Sequence, residues 1–189
     1  MSDTVAARLG GDAAARLAAL GVATIDGGLT DDEFARIEAA FGFEFADDHR
    51  AFLAAGLPVG GRWPDWRNEG RRSLRKRLKF PLDGVLFDVE WSDFWGDGWG
   101  QRPSRMKDAL RTATYQLARV PRMVSLYSHR YLPGGHGSFG HPVLSIVQTD
   151  IIVYGADLPD YIESEFVRHG PASHRYRAST VGFWSDVVS

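Results

Sequence analysis

Apolar residues recur at three- and four-residue steps from the start of the chain: Val5, Leu9, Ala13, Leu17 and Leu20. That period predicts a helix with one buried side. Gly10-Gly11 weakens its middle by about 1 kcal/mol per glycine relative to alanine. Gly21 ends it, and Gly27-Gly28 form a loop. A second helix starts sharply, because Thr30 and Glu33 have the spacing of a capping box and Phe34, Ile37 and Phe41 form a buried stripe. Gly42 is its natural stop. A third helix is predicted near Asp47 to Ala55, with Phe52 and Leu53 turned inward and Gly56 closing it.

Leu57 to Gly61 reads as loop, and Leu74 to Leu78 as a short basic helix. After Pro81 the period changes to two. Val85, Phe87, Val89 and Trp91 alternate with Asp88 and Glu90, the pattern of a half-buried strand. Ser92 to Gly100 is a glycine- and tryptophan-rich loop. Pro103 opens a helix whose stripe is Met106, Leu110, Ala113 and Leu117, ended by Pro121. Met123–Tyr127 and Val143–Val147 read as buried strands, and Ile151–Tyr154 follows closely enough to form an antiparallel hairpin. Asp157 and Pro159 start a last helix with Leu158, Tyr161, Ile162 and Phe166 inward. The tail from 170 to 189 is weakly patterned and receives no element. The order of elements predicts one α+β domain over 1–189: a mostly antiparallel, curved sheet flanked by helices on one side, with the N-terminal helices packed against it.

The length of 189 residues and the 44% hydrophobic, 24% charged composition fit an ordinary globular chain with one core. With no cysteine, disulfides, thiolate metal sites and cysteine nucleophiles are excluded, which suits a reducing compartment. No basic start with an apolar core and no apolar run of membrane-spanning length is visible, so a cytoplasmic location is expected.

The net charge of −2 hides segregation. Between Asp26 and Arg50 lie eight acids (Asp26, Asp31, Asp32, Glu33, Glu38, Glu44, Asp47, Asp48) against Arg36 and Arg50. From Arg62 to Lys79 eight bases face only Asp65 and Glu69, and 83–97 carries five acids and no base. Such blocks either steer a charged partner or form solvated faces that offset one another.

Candidate chemistry is sparse. Asp88 and Glu90, about 6.6–7 Å apart on a strand face, have the separation of an inverting glycosidase pair, and equally that of any solvent-facing strand. His129, His136 and His141, with Asp150 nearby, could ligate a metal, but their spacing matches no short motif and structural histidines are commoner. No nucleophile elbow and no phosphate-cradling loop occurs. Neither a cofactor nor a metal is expected. The basic segment interleaved with Trp63 and Trp66 has the ingredients of single-stranded nucleic-acid binding, against which the pI near 6.3 argues. Trp95 and Trp99 suit either a binding surface or one end of the core.

The landmarks then add up to a resemblance. Leu29-Thr30, Ile37-Glu38, Phe43 and Arg50-x-Phe52-Leu53 resemble the opening of the SUKH superfamily, with Ala46 where a proline is usual. Pro81-x-x-Gly84-x-x-Phe87-Asp88-Val89-Glu90, Phe94-Trp95 and Trp99-Gly100-x-Arg102-Pro103 follow. His129-Arg130-Tyr131-Leu132-Pro133, Pro142-Val143-Leu144-Ser145, Gln148-Thr149-Asp150 and Tyr154-Gly155-x-Asp157-Leu158 complete it, over about 29–166. Residues 1–28 form an extra N-terminal helix outside the match. That superfamily includes fungal cell-wall-synthesis regulators and bacterial immunity proteins of polymorphic toxin systems. The resemblance implies a non-catalytic protein-binding module, with a cognate toxin as the expected partner. The matched polar positions Asp88, Glu90, His129, Arg130 and Asp150 are read first as fold-determining or groove-lining groups; with Trp63, Trp66, Trp95 and Trp99 they are the candidate partner-binding residues, and a basic partner would approach the acidic stretches. A carboxylate- or metal-based hydrolase and a nucleic-acid-binding domain are the alternatives.

Overall fold

The computed structural model describes residues 2–171 and 182–187. Helix α1 (Ser2–Leu20) turns Ala6, Gly10, Ala13 and Leu17 inward and leaves Val5 and Leu20 exposed. The small side chains let it lie directly on α3 (Asp47–Ala55). A Cβ at Gly10 would stand 2.6 Å from Ala51 Cβ, so the glycine that weakens the helix also permits its crossing. Helix α2 (Asp31–Phe41) has the expected capping box: Thr30 Oγ1 accepts from the Glu33 amide and the Glu33 carboxylate accepts from the Thr30 amide. Gly42 ends it in the left-handed conformation at φ 69°. Two short strands, β1 (Thr24–Asp26) and β2 (Leu57–Val59), pair as an antiparallel ribbon in segments predicted as loop.

The largest departure follows. Arg71–Trp91 is one helix, α4, and the strand expected at Val85–Trp91 does not exist. Leu74, Leu78, Pro81, Val85, Asp88 and Val89 form its buried row, at steps of three and four residues. Phe87 and Trp91, expected inside, are 48% and 70% exposed. Pro81 lies within the helix instead of before a strand. Its missing N–H leaves the Arg77 carbonyl without a helical partner, and the Tyr131 hydroxyl donates to that oxygen at 3.1 Å. At Gly84 a Cβ would come within 2.9 Å of Gln148 Cα, so the helix rests closely on a sheet turn.

Helix α5 (Met106–Leu117) buries Ala109, Ala113 and Leu117. Strands β3 (Met123–Tyr127), β4 (Arg130–Pro133), β5 (Val143–Val147) and β6 (Asp150–Gly155) form an antiparallel sheet in chain order, with β4 in a stretch given no element from the sequence. Ser128 and Gln148 open the two-residue hairpin turns at φ 50° and 57°. Helix α6 (Leu158–Glu163), capped by Asp157, runs into a π-turn (Ser164–Arg168).

Val124, Leu126, Leu132 and Val143 join one cluster with α1–α3, Trp63, Trp66 and α6. Met123, Tyr131, Leu144, Ile146 and Ile151 join another with α4, α5 and Trp184. The fold is α+β with an antiparallel sheet, as expected, and a second helical layer covers its other face. In the tail, α7 (Phe183–Asp186) buries Trp184, whose Nε1 donates to the Pro121 carbonyl at 2.7 Å. Residues 172–181 and 188–189 of the tail lie outside the described residues. No described helix is long and apolar enough to cross a membrane.

Candidate functional site

The polar residues between Phe87 and Asp150 separate into structural groups and surface groups. Asp88 and Glu90 do not share a face. Two residues apart on a helix they point about 200° apart, so Asp88 is buried and Glu90 exposed. The Asp88 carboxylate accepts from the Thr149 amide at 2.9 Å, the Thr149 hydroxyl at 2.7 Å and the Ser92 hydroxyl at 2.9 Å. It fastens α4 to the β5–β6 turn, and the paired-carboxylate reading is withdrawn.

Arg130 is also committed to the fold. It is 7% exposed, donates to Glu165 at 2.8 Å and Ser145 at 3.0 Å, and lies 3.6 Å over the Tyr154 ring. Trp63 and Trp66 are core residues, with Trp63 stacked on Phe166 and Trp66 packed on Phe43 and Phe45. They offer no platform to a base or a partner. Trp99 is buried between Trp95 and Phe183, and Trp95 donates to the Gly100 carbonyl at 2.7 Å. Asp150 is exposed at the start of β6.

Of the expected site residues, His129 does line a concave surface. A groove of about 390 Å³ is formed by Gly61, Arg62, Lys76, Arg77, Phe80, Ser128, His129 and Tyr131. Three segments meet there: the 60–62 turn, α4 and the β3–β4 turn. The Arg62 carbonyl ties them together, accepting from the Ser128 amide at 3.0 Å and from Arg77 at 3.3 Å. Burial, then the neighbouring Arg130 and Arg62, lower the pKa of His129. Burial pushes the Tyr131 hydroxyl well above its usual range. The lining contains three bases, a histidine and no acid, around an apolar floor.

Next to this groove the outer face of α4 carries Phe80, Phe87 and Trp91, 39%, 48% and 70% exposed. They sit seven and eleven residues apart from Phe80, one stripe on a helix. The only sequence signal for it was the same alternation that suggested a strand.

Three carboxylates of the acidic stretch, by contrast, are paired with arginines. Asp31 and Glu38 bind Arg50, and Glu33 binds Arg67 at 2.6 Å. Arg67 and the Thr30 cap hold the Glu33 carboxyl down to about 2. His136 approaches Asp47 at 3.3 Å, away from the groove lining. Among the described residues no three His, Asp or Glu side chains are grouped to hold a metal ion. No family model, curated protein or solved structure matches this chain.

Proposed function

We propose that the chain is a non-catalytic protein-binding module of the SUKH immunity type, and that its partner presents an acidic segment to the Arg62–Lys76–His129 groove. The observation that carries this reading is the groove's one-signed lining around Phe80 and Tyr131. Arg77 is held by Glu69, but Arg62 and Lys76 pair with no described carboxylate and gain from an acidic ligand, and steering by such a patch raises association rates at low salt. The acidic runs are less suited to a basic partner, since three of their carboxylates already bind Arg50 and Arg67. Asp88 and Arg130 hold elements together, which fits a scaffold role for the conspicuous polar residues. The expected setting is the cytoplasm, where an immunity protein meets its toxin.

The test is co-expression with the proteins encoded beside it, followed by size-exclusion chromatography. A complex that the double variant Arg62→Glu/His129→Glu weakens by at least tenfold supports the reading. A chain that ignores every encoded neighbour contradicts it. So does a single-stranded oligonucleotide that occupies the groove at physiological salt, which would favour nucleic-acid binding.

A further inference from the structure

The outer face of α4 has a charge order that runs well beyond the groove. From the N-terminal end it reads Arg72, Lys76 and Lys79, then Phe80, then Asp83, Phe87, Glu90 and Trp91, all exposed. None of the three bases forms an ion pair with a described residue. The order is antisymmetric about Pro81. Arg72 lies nine residues before it and Glu90 nine after; Lys79 lies two before and Asp83 two after. Turned end for end, the face therefore presents acid opposite base, sets the two copies of Phe80 close to the centre, and brings Phe87 and Trp91 to the levels of Arg75 and Arg71.

We infer that this face pairs with a second copy of the chain, α4 against α4 in antiparallel orientation. The contact is isologous: Arg72 of each copy meets Glu90 of the other and Lys79 meets Asp83, while Phe87 and Trp91 of each copy lie towards Arg75 and Arg71 of the other. A parallel arrangement would set bases on bases and is excluded by the same charges. The helix supplies a second reason. Its first turn holds Arg71 and Arg72 and no acid, which places positive charge on the positive end of the macrodipole. Glu90 of the other copy, arriving there, relieves that repulsion. Exposed apolar stripes rimmed by charge are characteristic of protein contacts, and Trp91 has the exposure and residue type of a hot spot. The pairing goes beyond the groove reading and meets the groove only at Lys76 and Phe80.

Sedimentation equilibrium tests it with the full chain. The wild type associates to a dimer at concentrations on the order of 10 μM, as a small transient interface does. Arg72→Glu and Glu90→Arg each weaken the dimer by roughly tenfold, and the combined variant R72E/E90R restores it to within about threefold. Both side chains are exposed, and circular dichroism verifies the fold of each variant. A wild type that stays monomeric at about 1 mM, or a combined variant no better than the single ones, overturns the inference. Either result leaves the groove reading standing, because Arg62 and His129 take no part in the pairing.

Discussion

Tyr131 stands where the chain has removed one of its own helical hydrogen bonds. Pro81 cannot donate to the Arg77 carbonyl, and the phenol does so in its place at 3.1 Å. Tyr131→Phe should cost about 1–3 kcal/mol in denaturant unfolding, the range for a buried acceptor left unpaired. In a Pro81→Ala background the helix supplies its own donor, so the same change should cost markedly less. Equal costs in the two backgrounds would contradict this assignment. His49 makes a second residue-scale case. It is fully buried in α3, edge-on to Phe45 at 5.1 Å, and burial holds its pKa down to about 3. The unfolded chain takes up a proton near pH 6.5 that the folded chain refuses. Stability is therefore complete above pH 6.5 and falls as pH drops towards 3, by up to about 1.4 kcal/mol per pH unit. His49→Leu should flatten that limb of the pH–stability curve; an unchanged slope would exclude His49 as its source. Asp48 beside it, raised by burial, acts in the opposite sense.

Among the elements, α4 separates what the sequence discloses from what it hides. The alternation Val85, Phe87, Val89, Trp91 has period two, yet Val85 and Val89 are also four apart. Only the row continuing back through Pro81, Leu78 and Leu74 decides for a helix. Proline conceals that row by reading as a break, because its compensating donor, Tyr131, comes from a distant strand. Helix α2 was legible from its capping box and stripe, and α3 and α5 from apolar spacing and the glycine or proline that follows, all local signals. The β1–β2 ribbon was not, since three-residue strands carry no period. Asp88 and Glu90 distinguish the two readings of α4 by stability. Asp88→Ala should cost about 2–3 kcal/mol by stranding the Thr149 amide and hydroxyl, while Glu90→Ala should stay within about 0.5 kcal/mol. Similar effects at both positions would return them to one face.

For the molecule as a whole, the sheet is shared by two clusters, and the second is closed by a segment far along the chain. Trp184 is fully buried and Phe183 stacks on Trp99 at 5.7 Å. Trp184→Ala should cost about 3–5 kcal/mol in thermal or denaturant unfolding. A cost below about 1 kcal/mol would remove the tail from the core. The groove was invisible in the sequence for a related reason: residues 61–62, 76–80 and 128–131 form it, and no spacing links them. His129 lines that groove, whereas Trp63, Trp66 and Trp99 went to the core and Trp95 is half-buried beside Trp99. Recognition is instead proposed for the basic groove and the outward row of α4.

Oxidative footprinting by mass spectrometry, performed at a dilute and at a concentrated setting, addresses that proposal most directly. Trp91 and Phe87 should label strongly in dilute solution and become protected on concentration, while Trp63, Trp66 and Trp99 stay protected throughout. Protection of Trp91 in the dilute monomer, or equal labelling at both concentrations, would contradict the account.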